Sequence, residues 1–141
     1  MKVPQSYLDH LSIADRECSW TKVFADPRNK MLVAEDNGRM VGFSSFGPSR
    51  DGGAGAEVGE LYAIYLLEGS KGQGIGTSLW YETRKCLQLL GYQQVSLWVL
   101  ETNLQGRKFY EKMGFILDGT EKSAEIDGQK VIEVRYQAKI G

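Results

Sequence analysis

A glycine-rich turn between an apolar strand and an amphipathic helix constrains the fold of this chain more than any other feature. Residues 57–67 read EVGELYAIYLL, an apolar and aromatic run that predicts a central, buried strand. Residues 68–78, EGSKGQGIGTS, then predict a turn that leads into a helix. The apolar face of that helix is formed by Ile75, Leu79, Cys86, Leu87 and Leu90, and Gly91 ends the helix. A strand that is followed by a glycine turn and a helix indicates an α/β fold.

The glycine turn has the layout of a phosphate-binding loop. Glycines let the backbone curl so that successive amide hydrogens point into one concavity, and the helix N-terminus adds partial positive charge. Thr77 could add a hydroxyl donor and Lys71 a cation. Gly72, Gly74 and Gly76 alternate as G-x-G-x-G, which matches neither the nucleotide P-loop nor the G-x-G-x-x-G dinucleotide motif. On these residues alone, a tight turn that holds no ligand stays open as the alternative.

The other segments predict one α/β domain over residues 1–141, with helices flanking a mixed central sheet. A helix is predicted between Ser12 and Pro27, and Asn103 caps a short helix that Gly114 closes. Further strands are predicted at residues 30–36, 39–47 and 93–100 and in a hairpin over residues 115–138. The hairpin turns are predicted at Asn37-Gly38 and Asp127-Gly128. Strands that alternate with helices and begin and end in hairpins favour a mixed sheet.

Composition argues against several classes of partner and site. The chain carries 17 Lys+Arg against 18 Asp+Glu, a net charge of -1, which does not favour nucleic acid as a partner. No apolar run approaches the roughly 20 residues that a membrane helix needs, and the opening MKVPQSYLDH has no apolar signal core. His10 is the single histidine, so no multi-histidine metal site is expected. We therefore expect a cytoplasmic protein without a membrane partner and without a metal.

Two motifs in combination resemble those of the GNAT superfamily of acyl-CoA-dependent N-acetyltransferases. The first family signature is Gln or Arg, two residues, Gly, one residue, then Gly or Ala. KGQGIG at residues 71–76 matches it except that Lys stands first. ELYAIYL at residues 60–66 resembles the family's central strand, and LWVLETNLQGRKFYEKMGF at residues 97–115 resembles its second signature. The resemblance extends from about Lys30 to the C-terminus.

The resemblance implies that acetyl-CoA is the cosubstrate and assigns residues to it. In the family the central strand bulges and splays from the next strand, which frees backbone groups for the pantetheine and the thioester oxygen. Here those groups are the amides of Tyr65 and Leu66. Asn103 is implied to contact CoA, with a purely capping role as the alternative. The pyrophosphate is implied to bind the turn, that is Lys71, Gly72, Gln73, Gly74, Gly76 and Thr77.

The implied reaction is direct transfer of an acetyl group to a primary amine in a ternary complex. Tyr110 stands where the family's tyrosine lies beside the CoA sulfur, and a phenol with a pKa of about 10 can protonate a departing thiolate. A buried core aromatic is the alternative for Tyr110. Glu60 is the candidate base, since family members often use a carboxylate on this strand through a water. A strand-end charge that faces solvent is its alternative, and Glu57 and Glu101 are rival bases.

Two departures from the family pattern bear on cofactor and partners. Lys71 keeps a donor to pyrophosphate but loses the planar, multi-point bonding of Arg or Gln. The family normally has a strand and a helix before the segment that begins here at Met1, and we expect both to be lacking. The strand at residues 30–36 would then leave an open sheet edge, which we expect a second copy to cover in a homodimer.

The acceptor amine is not specified by these motifs. In the family, specificity resides largely in N-terminal helices and in loops such as residues 47–57, GPSRDGGAGAE. Small amines, aminoglycoside-like drugs and protein amino groups all stay open. A non-catalytic acyl-CoA-binding module is the alternative function.

Overall fold

The computed structural model of the chain describes residues 29–36, 39–67 and 74–141. The prediction of a helix before Pro27, the expectation about the elements that open the chain and the predicted Asn37-Gly38 turn lie outside the described residues. The same is true of three residues assigned to the pyrophosphate, Lys71, Gly72 and Gln73.

Within the described residues, six strands and two helices follow one another in the predicted order. The strands are β1 (Lys30–Asp36), β2 (Arg39–Pro48), β3 (Val58–Leu66), β4 (Gln94–Leu100), β5 (Ile116–Ile126) and β6 (Gln129–Lys139). The helices are α1 (Ile75–Leu89) and α2 (Leu104–Lys112). One sheet holds the strands in the order β1-β2-β3-β4-β6-β5. β3 and β4 are parallel and the other pairs antiparallel, which confirms the predicted mixed sheet.

The described sheet ends in β1 on one side and β5 on the other. An edge strand presents unpaired backbone groups, which is why we expected a second copy to cover β1. That homodimer stays a prediction. The turn between β5 and β6 lies where the sequence predicted it, at Asp127 and Gly128, whose φ angles are 51° and 77°. Positive φ at both central residues gives the turn a twist that suits a hairpin.

α1 packs on one face of the sheet, which we call the helix face. The odd-numbered β4 residues Val95, Leu97 and Val99 are buried in the same core cluster as Leu79 and Leu87 of α1. A hydrogen bond of 2.6 Å between the hydroxyls of Ser44 and Thr83 joins β2 to α1 at the same face. Because side chains alternate along a strand, Gln94, Ser96 and Trp98 point to the opposite face. We call that side the polar face.

A β-bulge in β3 changes which side chains reach each face. Phe46 pairs with Leu61 and Ser45 pairs with Ala63, which leaves Tyr62 as an extra residue on β3. Leu61 is 3% exposed and lies in the core on the helix face. The extra residue shifts the alternation, so Ile64 also points to the helix face. Glu60, which precedes the bulge, points to the polar face.

Candidate active site

A cleft opens on the helix face where β3 and β4 separate. The two strands pair only from Val58 opposite Gln94 to Glu60 opposite Ser96, and then they diverge. The cleft has a volume of about 380 Å³ and lies between the end of β3, the start of α1 and the helix α2. Its lining residues are Ile64, Leu66, Gly74, Gly76, Thr77, Asn103, Gln105, Gly106, Phe109, Tyr110 and Lys112. The splay implied by the sequence is therefore present beside the predicted residues.

The N-terminus of α1 gives this cleft a positive end. Gly74 precedes the helix with φ at 79°, in the left-handed region that glycine adopts without strain. The first amide N–H groups of a helix have no partner within the helix, and they carry partial positive charge. The first turn of α1 contains no acidic side chain that would offset this charge. Gly74, Gly76 and Thr77 therefore present a site that suits an anion such as a diphosphate.

Gly76 lets the first turn of α1 pack closely against β3 and α2. A Cβ atom at this position would lie 3.1 Å from Leu66 Cδ1 and 3.3 Å from Phe109 Cε1. Any larger residue would therefore extend into the space between β3 and α2. Gly76 therefore lets Leu66 and Phe109 lie against the start of α1, where all three residues line the cleft.

The backbone of β3 directs two residues into the gap beside β4. The amide of Leu67 donates to the carbonyl of Val41 at 2.8 Å, so the backbone groups of Leu67 point toward β2. Backbone groups alternate in direction along a strand, so those of Leu66 and Ile64 point away from β2, toward the side where β4 has diverged. Tyr65 faces β2 instead, and its ring lies 5.8 Å from Phe43 and is half exposed. The structure thus brings Leu66 to the cleft and does not bring Tyr65 there.

Tyr110 lies in the cleft on α2, within a group of aromatic rings. Its ring centroid is 5.6 Å from that of Phe109, 5.9 Å from that of Phe115 and 6.5 Å from that of Tyr136. Burial raises the pKa of the Tyr110 phenol above its usual value. The hydroxyl is therefore protonated at neutral pH, as a proton donor must be.

Asn103 both caps α2 and lines the cleft. Its side-chain carbonyl oxygen accepts a hydrogen bond of 3.0 Å from the amide of Gly106, which confirms the predicted cap. Both Asn103 and Gly106 line the cleft. The two roles that the sequence left open for Asn103 are therefore compatible in space.

Glu60 is buried on the polar face, where Arg50 holds it. Its side chain is 1% exposed, whereas that of Arg50 is 64% exposed. Glu60 Oε2 accepts bonds from Arg50 Nη2 at 2.6 Å and Nε at 3.2 Å, and Oε1 accepts the Arg50 backbone N–H at 2.9 Å. The side-chain hydrogen bond with Glu60 raises the pKa of Arg50. The solvent-facing alternative for Glu60 is wrong, because the carboxylate is enclosed and paired.

The two rival bases are less enclosed than Glu60. Glu57 is exposed in the loop before β3, and Glu101 is exposed just after β4. The backbone carbonyl of Glu101 accepts a hydrogen bond from Arg107 Nη1 at 3.0 Å, and its carboxylate attracts the same arginine electrostatically. Of the three carboxylates, Glu60 alone is fixed in position by a charged partner among the described residues.

Sequence reasoning missed several residues that line the cleft. Ile64 could have been found from the bulge that the resemblance implied, since it shares a face with Leu66. The helical period could have found the α2 residues, because positions three and four apart lie on one side of a helix. Those residues are Gln105, Gly106, Phe109 and Lys112. Lys112 adds a cation to the cleft that no motif indicated.

The described residues contain neither a membrane-spanning helix nor a cluster of metal ligands. Neither α1 nor α2 is long and apolar enough to cross a membrane. The described side chains also include no group of three His, Cys, Asp or Glu residues that could hold a metal ion.

Comparison of the sequence with known proteins identifies its relatives. The sequence profile of the Acetyltransferase (GNAT) family matches residues 3–115. An uncharacterized N-acetyltransferase of Bacillus subtilis is 35% identical over 101 residues, which cover 72% of this chain and 57% of that protein. A mycothiol acetyltransferase of Streptosporangium roseum is 37% identical over 78 residues, which cover 55% of this chain and 23% of that protein. The chain thus spans less than two thirds of the length of these relatives.

Comparison with solved structures supports the same fold. The ribosomal-protein-alanine N-acetyltransferase of Brucella melitensis superposes with a TM-score of 0.70 at 19% identity and covers 99% of this chain. An acetyltransferase of the GNAT family from Desulfovibrio desulfuricans gives the same TM-score at 18% identity and covers the whole chain. At this level of identity, the likeness concerns the fold.

Proposed function

The chain belongs to the GNAT family of acetyltransferases, and we propose that it transfers the acetyl group of acetyl-CoA directly to a primary amine while both are bound. The observation that carries this proposal is the cleft between β3 and β4. It combines a helix N-terminus without acidic side chains, a glycine that lets β3 and α2 approach the start of α1, and a protonated tyrosine. These are the features needed to hold a diphosphate, shape the cleft and protonate a leaving group.

Residues at both ends of the cleft are proposed to hold acetyl-CoA. The α1 end, with Gly74, Gly76 and Thr77, takes the diphosphate together with the turn residues Lys71, Gly72 and Gln73. Lys112 supplies a cation across the cleft from α2. Asn103 contributes a side-chain amide while it caps α2. When bound, acetyl-CoA supplies an acetyl thioester, whose C–S bond breaks as a C–N bond forms to the amine.

Two groups on the cleft side are proposed to stabilise the charges that develop during transfer. The backbone N–H of Leu66 faces the gap beside β4 and can donate to the carbonyl oxygen of the thioester. The phenol of Tyr110 gives its proton to the departing sulfur, so that CoA leaves as a neutral thiol. Tyr65, the other residue assigned to this role from the sequence, faces β2 and supports the strand pairing instead.

Glu60 is proposed as the group that receives the proton of the amine. A carboxylate offers about four lone-pair directions, and Arg50 uses three of them. The remaining direction can accept a hydrogen bond from a water that relays the proton. Arg50 keeps the carboxylate in one orientation through this exchange, so we regard Arg50 as a positioning residue.

The acceptor is proposed to be a small-molecule or peptide amine. One relative is named for mycothiol and one structural neighbour for the alanine of a ribosomal protein, and these names support either class. The expectations of a cytoplasmic location, a homodimer and no nucleic-acid partner remain predictions from the sequence.

Turnover with an amine panel tests the proposal. The chain is incubated with acetyl-CoA and, in turn, polyamines, aminoglycosides and peptides with free N-termini. Free CoA is measured with a thiol reagent and the acetylated amine by mass spectrometry. We expect CoA release that depends on the amine and equals the amount of acetylated product. Tight CoA binding without transfer to any amine would favour the non-catalytic acyl-CoA-binding module instead.

A further inference from the structure

A second cavity lies on the polar face of the sheet and shares no lining residue with the cleft. It has a volume of about 310 Å³ and is enclosed by the loop at residues 49–55 together with β4 and β6. The side chains that matter for its chemistry are Ser49, Gln94, Ser96, Arg135 and Gln137. We call this cavity the loop pocket. Its lining is almost entirely polar or glycine, so it suits a ligand that forms hydrogen bonds.

The charged groups around the loop pocket are already paired with one another. Arg135 Nη1 lies 3.3 Å from Asp51 Oδ2, and Arg135 Nε lies 2.6 Å from Asp118 Oδ2. Asp51 Oδ1 also accepts the indole N–H of Trp98 at 2.9 Å. A strongly charged ligand would have to break these pairs.

Two neutral groups of the loop pocket are also partly used, because Ser49 Oγ accepts the Asp51 N–H at 3.2 Å and Gln137 Nε2 donates to Asp118 at 2.7 Å. The hydrogen-bonding capacity that is left belongs to the Ser96 hydroxyl, the Gln94 amide and the remaining donors and acceptors of Ser49 and Gln137.

Ser96 supplies such a group at the floor of the loop pocket. It is 1% exposed, and its hydroxyl has no hydrogen-bond partner within the part of the chain that the structure describes. A buried hydroxyl without a partner is costly, and a ligand group that both donates and accepts would satisfy it. A ligand hydroxyl has this property.

The strands beneath the loop pocket are paired on both sides, which favours a small hydroxylated ligand over an extended peptide. β4 pairs with β3 on one side and with β6 on the other at Gln94 and Ser96. No free strand edge is therefore available to pair with a peptide backbone in the usual way. Recognition must come from side chains and from the backbone of the glycine loop, which suits a ring or short chain bearing several hydroxyls.

The loop pocket lies next to the candidate base. Ser49 and Asp51 line it, and Arg50 between them binds Glu60. Glu60 is also the register partner of Ser96 on the pocket floor. We propose that the loop pocket binds the hydroxyl-bearing part of the acceptor and that the acceptor is a small polyhydroxylated amine of the amino-sugar or amino-alcohol class. The part of this inference that the bound amine is acetylated rests on the proposed function. Binding of the amine to the loop pocket can be measured without turnover.

Nuclear magnetic resonance tests the binding directly. The indole N–H of Trp98 reports on the pocket because it donates to Asp51, and its signal is assigned with Trp98→Phe. Glucosamine and serinol are titrated into the labelled chain, with cyclohexylamine as an amine that lacks hydroxyls. We expect glucosamine or serinol to shift the Trp98 signal in a saturable way, and cyclohexylamine to leave it unchanged.

A leucine placed in the lining of the loop pocket is compared with a leucine placed in the same loop outside the pocket. Gly52 lines the pocket, and a Cβ added there meets no atom within 4 Å, so Gly52→Leu adds a large side chain at the pocket wall without a clash at Cβ. Ala56→Leu adds the same side chain in the same loop, at an exposed position that does not line the pocket. We expect Gly52→Leu to abolish the shift and to lower kcat/KM for glucosamine about 10-fold or more, as expected from losing two or three hydrogen bonds. In Gly52→Leu, the rate of transfer to cyclohexylamine and KM for acetyl-CoA should stay unchanged. Ala56→Leu should bind and acetylate each amine as the wild type does.

The outcomes separate this inference from the proposed function. One possible result is that no amine is acetylated, that glucosamine or serinol shifts the Trp98 signal and that Gly52→Leu abolishes the shift. Binding in the loop pocket is then supported, and the proposed function is contradicted. If amines are acetylated but neither hydroxylated amine shifts Trp98, the pocket inference is overturned. It is also overturned if Gly52→Leu binds these amines as the wild type does.

Discussion

Replacing Tyr110 with Phe is expected to lower kcat for acetyl transfer about 100-fold. The substitution removes one hydroxyl from a ring that packs among Phe109, Phe115 and Tyr136 and keeps the ring itself. The packing, the fold and the Kd for CoA should therefore not change, while the leaving sulfur loses its proton donor. Steady-state kinetics with saturating acetyl-CoA measure the effect.

The pH dependence of kcat gives the same role a second test. Burial raises the pKa of Tyr110, so the phenol holds its proton until the pH exceeds about 10. As the pH rises through that raised pKa, the donor is lost and kcat of the wild type should fall. Tyr110→Phe should lack this decline. Tyr81→Phe is the matched control, since Tyr81 is about half exposed on α1 and does not line the cleft. Full kcat in Tyr110→Phe would remove Tyr110 from the mechanism.

Replacing Arg50 with Ala is expected to lower the free energy of unfolding by about 3 kcal/mol, because it leaves a buried carboxylate without its counterion. Glu60 is 1% exposed and accepts both guanidinium bonds of Arg50, so the variant leaves a largely buried charge with the backbone N–H of residue 50 as its remaining donor from that residue. Adding Glu60→Gln to Arg50→Ala should recover much of the loss, since a neutral amide needs no cation. Unfolding in urea measures the wild type, Arg50→Ala and the double variant.

Lys85→Ala is the matched control for the loss of a cation. Lys85 is 60% exposed and bridges Glu82 three residues earlier on α1 at 3.0 Å. The Glu82 side chain is 11% exposed and accepts one bond from Lys85, whereas Glu60 is 1% exposed and accepts two from the Arg50 guanidinium. We therefore expect Lys85→Ala to cost about 1 kcal/mol, less than Arg50→Ala. If Arg50→Ala costs no more than Lys85→Ala, then Arg50 does not hold Glu60 in solution as it does in the structure.

Local sequence signals predicted the elements of the fold correctly because each signal acts within a few residues. The Asn103 cap depends only on the amide of Gly106 three residues later, and the turn at Asp127-Gly128 depends only on two backbone conformations. The apolar run at residues 57–67 predicted β3 because a central strand that is buried on both faces consists largely of apolar residues. The cleft itself was implied by the resemblance of the glycine turn and of the segment that carries Tyr110 to the family motifs.

Features that depend on register between distant segments could not be predicted in this way. The contact of Glu60 with Arg50 requires the loop after β2 to fold back onto β3, and no residue pattern specifies that return. The directions of Tyr65 and Leu66 depend on the pairing of β3 with β2. The loop pocket brings residues 49–55 together with β4 and β6, which are far apart in the sequence.

Calorimetric titration of CoA into the wild type and Gly76→Val tests most directly whether the cleft binds the cofactor. A Cβ at residue 76 already approaches Leu66 and Phe109, which line the cleft, so the methyl groups of valine would displace these side chains and change the shape of the cleft. Ser78→Val is the control, because it puts the same residue in the same helix at a position that does not line the cleft. We predict one CoA per chain for the wild type and for Ser78→Val, and a Kd about 10-fold or more weaker for a folded Gly76→Val. No binding to the wild type, or equal binding to Gly76→Val, would contradict the account.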